Sequence, residues 1–329
     1  MQPGNKRRVY VNEVATRDGF QIEPNFVPTE EKIKLIDLLG RTGLAGIEVT
    51  SFTSPKAIPN LRDAEEVMKR IERVRGVTYA VLVPNVKGCE RAIGCGVEQI
   101  NVVMSAGETH NRANLRMSSE ESLAQFAEIA RVTQGSPVAV NALISTAFGC
   151  PFDGPVPEER IFYIAQRCIE IGITGLTLCD TTGMADPAQV FALCNRLRTS
   201  FPQATFAVHF HDTRGMGLAN VLAALEAGID RLDASLGGLG GCPFAPGASG
   251  NVCTEDTVHM LERMGYDTGV DLDLLLKIAR GLPAIVGHEV PGQVTKAGKA
   301  DRKYPQPKSL GGALPVRSCA QDVSKNAGQ

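Results

Sequence analysis

Four times in this chain the same six-residue pattern recurs: Gly43-Leu-Ala-Gly-Ile-Glu48, Gly96-Val-Glu-Gln-Ile-Asn101, Gly172-Ile-Thr-Gly-Leu-Thr177 and Gly228-Ile-Asp-Arg-Leu-Asp233. In each copy a glycine can take the left-handed conformation that ends a helix, and a hydrophobe packs back on that end. An apolar residue and then a polar one open the next strand. A chain that repeats this step alternates helix with strand, and Glu48, Asn101, Thr177 and Asp233 fall at equivalent strand positions.

The rest of the chain keeps that alternation. Short β-rich runs at 9–17, 46–52, 77–84, 99–106, 137–146, 175–182, 205–212 and 231–236 are eight candidate strands. Between them run helical stripes such as Ile161, Ile164, Ala165, Cys168 and Leu218, Val221, Leu222, Leu225. Asp186-Pro187 reads as a helix cap with a first-turn proline, and Ser118 with Glu121 has capping-box spacing. Eight such units in roughly 250 residues predict a closed (β/α)8 TIM barrel, with a doubly wound open sheet as the runner-up. The open sheet is disfavoured because no G-x-G-x-x-G follows the first strand and no G-x-x-x-x-G-K occurs anywhere. Residues 1–288 are then one barrel domain in which 256–287 forms two closing helices. The polar, Gly/Pro-punctuated segment 289–329 is expected to be a flexible C-terminal tail.

Charge and thiols narrow the function. Thirty-four basic and 36 acidic residues leave a formal charge of −2, so nothing in the balance seeks nucleic acid or an anionic membrane. There is no eighteen-residue apolar run, and the opening residues lack a secretory apolar segment. The nine cysteines are odd in number and form no C-x-x-C pair, which fits a reduced, cytoplasmic setting.

The chemistry gathers at strand ends. In His209-Phe-His211-Asp212 the two imidazoles share one strand face, with Phe210 opposite. A bare H-x-H is a weak signal, whose plain reading is a hydrogen-bonded pair inside the barrel. Barrel closure, however, makes strands one, seven and eight neighbours. It brings Asp18 of Ala15-Thr-Arg-Asp-Gly19 and Asn251 toward the same point. Two nitrogens and two oxygens suit Mg or Mn, with Zn as the alternative. Arg17 reads either as a rim salt bridge or as a cation for a developing oxyanion. Residues 237–250 hold six glycines and Cys242, and no Lys or Arg occurs from Gly237 to Cys253. That composition fits a mobile lid carrying one thiol better than a phosphate cradle. Glu48 and Asp180 are expected on one face of the barrel, each a base or a carboxylate that orients Arg17 or an imidazole.

Together, Thr-Arg17-Asp18-Gly-Phe-Gln21, Ile47-Glu48-Val-Thr-Ser51-Phe-Thr-Ser-Pro-Lys56, Cys179-Asp180-Thr-Thr-Gly183, His209-Phe-His211-Asp212 and Gly238-Leu-Gly-Gly-Cys242-Pro resemble the 3-hydroxy-3-methylglutaryl-CoA lyase family of DRE-TIM metallolyases. The similarity runs from about residue 9 to 275 and includes Gly247-Ala-Ser-Gly-Asn251. It implies Asp18, His209, His211 and Asn251 as ligands of Mg or Mn, and a retro-Claisen cleavage of a small-molecule acyl-CoA. It further implies that Arg17 holds the thioester oxygen, Cys242 protonates the enolate and Asp180 takes the hydroxyl proton. Gln21, Glu48 and Ser51 are implied as substrate or supporting contacts, and the assembly as a homodimer or higher homo-oligomer.

Three departures from the family pattern motivate a related 3-hydroxyacyl-CoA, such as a longer-chain 3-hydroxyglutaryl-CoA or citramalyl-CoA, as an alternative substrate. They are Asn141 where an arginine is expected, the loop from Ser105 to Arg112, and Cys179 in place of a glycine. Further alternatives are a Claisen-condensing synthase, an Fe(II) oxygenase and a catalytically silent CoA- or metal-binding module. His110, in that loop, is expected to meet solvent.

Overall fold

In the computed structural model the described residues are 6–241 and 250–303. Eight parallel strands close in chain order: β1 (Tyr10–Glu13), β2 (Gly46–Ser51), β3 (Thr78–Leu82), β4 (Gln99–Ser105), β5 (Ala139–Ser145), β6 (Gly175–Asp180), β7 (Thr205–Phe210) and β8 (Arg231–Ala234). Closure is made by β1 against β8, with Asn12 in register with Asp233, and it excludes the open sheet. All four glycines of the recurring pattern are left-handed, at φ 86°, 68°, 96° and 96° for Gly43, Gly96, Gly172 and Gly228. Gly43 has a steric reason as well, since a Cβ there would lie 2.1 Å from the Gly269 carbonyl oxygen.

Both helix-start readings hold. Ser118 forms the complete capping box with Glu121, and the Asp186 carboxylate accepts the amides of Ala188 and Gln189. Three expectations change. The first strand stops at Glu13 rather than 17, because the backbone turns into a single π-helical turn, Ala15–Gly19. The closing helices are three, not two: Thr254–Arg263, Leu272–Ala279 and Leu282–Val286, the last two parted at Gly281 ahead of Pro283. The compact barrel unit runs through Ala297, not 288. Val290 is buried, and the Asp256 carboxylate accepts the amides of Gln293 and Val294 at the start of the short helix Val294–Ala297. A second unit begins at Gly298.

The main core lies between the strands' outer faces and the helices, where residues such as Val11, Ile36, Leu39, Ile100, Ile144, Ile164, Leu176 and Leu225 are sealed. The barrel interior is different. TIM interiors are usually filled by bulky branched side chains. Here Gly46, Ala80, Ala139, Gly175 and Ala207 leave a cavity of about 900 Å3 at the floor, into which Asn12, Gln99, Asn101, Asn141, Thr177 and Asp233 also project. Above it Leu82, Val103, Leu143 and Cys179 make a small apolar layer. The four equivalent positions of the recurring pattern all line this floor. Among the described residues no helix is long and apolar enough to cross a membrane.

Candidate active site

The π-helical turn after β1 presents Arg17 and Asp18 side by side at the barrel mouth, both buried. Such wide turns recur at functional positions because they displace side chains from the regular helical path. Across the barrel, Cys179 is in register with His209, so His209 points inward. Phe210 turns outward against Phe148, and His211 returns inward. Asp18, His209 and His211 each bring one ligand atom to within 4.8 Å of the others. His209 Nε2 and His211 Nε2 are 3.3 Å apart.

Asn251 reaches the same point from the segment after β8, where it bridges to His211. Its Nδ2 donates to Asp18 Oδ2 at 2.7 Å and to the Leu239 carbonyl at 2.9 Å. Gly240, at φ 119°, is required by this approach, since a Cβ would stand 2.3 Å from Asn251 Nδ2. The donor set fits a divalent cation. Among the described residues His211 Nδ1 and Asn251 Oδ1 are buried polar atoms with no hydrogen-bond partner, and buried groups of that kind are rare unless a ligand or ion completes them.

Electrostatics follow from the crowding. Burial alone would raise Asp18, but Arg17 and the two imidazoles overcome it and take the carboxyl down to about 2. Burial, reinforced by His209, pushes His211 down to about 4. Burial also opposes charge on His209, yet Asp233 and Asp18 outweigh it and hold it above the ordinary imidazole value. His211 is therefore the imidazole that stays neutral at neutral pH, with its lone pair available.

Arg17 donates from Nε to Glu48 and from Nη1 to Asp18. Glu48 in turn accepts from Asn101 Nδ2 at 2.7 Å, so strand β4 holds the carboxylate that holds the guanidinium. Among the described residues the Arg17 side chain has acceptors only for Nε and Nη1, which leaves Nη2 as a donor to spare on a held guanidinium.

The remaining sequence candidates divide. Ser51 is buried, with its hydroxyl 2.8 Å from Thr53 Oγ1, and Gln21 offers only its backbone carbonyl, to Asn60. Among the described residues neither is hydrogen-bonded to the Arg17 side chain. Glu48 and Asp180 do not share a face as expected. Asp180 is in register with outward Phe210, and its two oxygens accept the amides of Met184 and Ala185 at 2.8 and 3.1 Å. Burial raises its carboxyl to about 6 against those two bonds. Cys242 and residues 243–249 of the glycine-rich loop lie outside the described residues.

His110 is fully buried rather than solvent-facing, with Nδ1 2.7 Å from Ser105 Oγ. The helix Glu108–Leu115 folds its ring inward, where a loop would have left it out. Asn141 bonds Asn101 and Thr177 in the barrel floor, and Cys179 fills the apolar layer. Those two departures from the family pattern therefore sit below the mouth, not in it.

A family model described as HMGL-like matches residues 8–281. The chain belongs to that family. It is 47% identical over 287 residues to hydroxymethylglutaryl-CoA lyase YngG of Bacillus subtilis (strain 168), covering 87% of this chain and 96% of the relative. It is 40% identical to the mitochondrial hydroxymethylglutaryl-CoA lyase of Homo sapiens, covering 88% and 90%. Among solved structures, an HMG-CoA lyase from Acenitobacter baumannii in complex with coenzyme A and 3-methylmalate superposes with a TM-score of 0.88 at 50% identity, covering 91% and 98%.

Within this HMGL-like barrel, residues absent from the sequence reading of the site prove central to it. Asp233 touches His209, Asn101 holds Glu48, and Glu13 bonds the amides of Ala15 and Leu236. The recurring pattern had already placed Asp233 and Asn101 level with Glu48. That equivalence was the available signal for both. Nothing local marked Glu13, which occupies one short strand of its own.

Proposed function

We infer that the protein cleaves 3-hydroxy-3-methylglutaryl-CoA to acetyl-CoA and acetoacetate by a retro-Claisen reaction. The observation that carries this reading is the convergence of Asp18, His209 and His211 beside a buried, doubly held Arg17. Family membership and relatives named for that reaction support it. Asp18, His209, His211 and Asn251 would hold the divalent cation, Mg or Mn in this reading, with Zn as the alternative. A cation so held would make the substrate's tertiary hydroxyl more acidic and stabilise the negative charge left on its oxygen.

This chain's residues then do the rest. Asp180 is the last residue of β6, at the loop-side rim where the charge of His209 still reaches it, and it is a carboxylate at neutral pH with lone pairs beyond its two loop amides; from there it is assigned the hydroxyl proton. As the C2–C3 bond breaks, its electrons move onto the thioester carbonyl. Arg17, already fixed by Glu48 and shielded from water, donates to the oxygen that gains enolate charge. Cys242 is assigned delivery of a proton to the enolate carbon. One proton leaves the hydroxyl and one enters carbon, so the products balance. The setting we assign is cytoplasmic, which the seven free thiols among the described cysteines support. Purified protein loaded with Mg2+ or Mn2+ should release acetoacetate from 3-hydroxy-3-methylglutaryl-CoA. No acetoacetate, or faster cleavage of citramalyl-CoA, would end the assignment.

A further inference from the structure

His209 is gripped at the edge of its ring away from the mouth. Its Nδ1 lies 3.2 Å from Asp233 Oδ2, while its Nε2 faces His211. The other oxygen of Asp233 accepts from Asn12 Nδ2 at 3.1 Å. The three residues come from adjacent strands, Asn12 on β1, Asp233 on β8 and His209 on β7. Register pairs Asn12 with Asp233 and Asp233 with His209. Their side chains therefore stand in file on one inward face, and the link from Asn12 to Asp233 crosses the seam where β1 closes the barrel on β8. His211 has nothing comparable, for its Nδ1 has no partner among the described residues.

The chemistry of the file is directional. A carboxylate accepts and does not donate, so the proton between His209 and Asp233 sits on Nδ1. That fixes the tautomer and leaves the Nε2 lone pair facing Asp18 and His211. The contact also resists rotation of the ring about its bond to the backbone. Asn12 does for Asp233 what Asp233 does for His209, holding the carboxylate in plane above the floor cavity that it also lines. The remaining charged groups facing this corner are Arg17 and Glu48, and they are already paired with each other.

We propose that Asp233, held by Asn12, is the positioning residue that sets the tautomer and ring plane of His209 so that Nε2 is presented to a divalent cation. The inference rests on the metal reading above. Outer partners of this kind typically account for about 10- to 100-fold in metal affinity.

The test is a calorimetric Mn2+ titration of the metal-free full chain, alongside thermal unfolding without metal. Asp233→Ala should weaken Mn2+ binding by about 10- to 100-fold. Asp233→Asn, whose amide oxygen can still accept from Nδ1, should recover most of that loss. Equal Mn2+ affinity in the unaltered and Asp233→Ala proteins would overturn the inference while leaving the metal reading intact. Failure of the unaltered protein to bind Mn2+ would remove both. Should the alanine variant not fold, 15N spectra of the unaltered metal-free protein decide. They should show His209 protonated on Nδ1, and protonation on Nε2 alone would refute the assignment.

Discussion

Arg17 owes its usefulness to being unable to move. Glu48 and Asp18 occupy two of its edges, and Glu48 is itself pinned by Asn101, so the free edge points at one place. A charge preset in this way acts mainly on the transition state, where the enolate oxygen becomes negative. Arg17→Gln should therefore lower kcat by about 10^2- to 10^3-fold, with KM changing far less. Steady-state kinetics showing an effect confined to KM would contradict this. Asp180 makes a pH prediction. With its carboxyl near 6 in the free protein, kcat/KM should fall as pH drops through about 6, because the protonated form cannot accept the hydroxyl proton. Asp180→Asn should remove that limb together with most of the rate, and a limb that survives the substitution would move the base elsewhere. At this scale the sequence was informative where chemistry is concentrated in one short stretch. Arg17 with Asp18, and His209 with His211, announce themselves by adjacency. Asp233 does not, because its partner His209 lies on another strand.

At the scale of elements, Glu13 joins three of them. Its Oε1 accepts the amides of Ala15, in the π-helical turn, and Leu236, after β8, each at 2.8 Å. Its Oε2 accepts from Thr254 Oγ1 at the start of the helix Thr254–Arg263, also at 2.8 Å. Burial raises its carboxyl from 4.5 to about 7, although all three bonds favour the charged form. The folded protein therefore binds the proton more tightly than the unfolded chain. Stability from this group is complete below about 4.5 and is lost as pH rises through about 7, by up to roughly 3 kcal/mol. Glu13→Gln keeps an acceptor for both amides and a donor for Thr254, so it should flatten that decline. Urea midpoints at pH 5 and pH 8 measure it, and an unchanged difference between the two would rule Glu13 out as the cause. The sequence marked helix starts and glycine stops well because each is decided within a few residues. It missed the π-helical turn, whose Ala-Thr-Arg-Asp-Gly carries no strand-breaking residue before Gly19.

For the whole molecule, the site ties distant segments together, and a bound cation should stabilise the fold through that tie. Divalent metal at a hundred times its dissociation constant should add about 2.7 kcal/mol. The Tm should rise by several degrees with Mn2+ and return on chelation. His211→Ala, which removes one ligand, should abolish the rise, and an undiminished rise in that variant would place the cation somewhere else. The homodimer or higher homo-oligomer implied by the family resemblance is a separate expectation, and sedimentation of the full chain tests it.

By itself, the sequence determined the architecture and the cast of residues. Left-handed glycines, apolar period and strand spacing are local, and eight strand–helix units leave a closed parallel barrel as their compact solution. The tertiary structure alone decided who meets whom. Asn12 grips Asp233 from 221 residues away and Asn251 bonds Asp18 from 233 away, and both depend on the register around the closed ring. The burial of His110, the outward turn of Asp180 and the docking of Val290 were settled in the same way. Each depends on what a neighbouring element presents across a gap, and no window of adjacent residues contains that information.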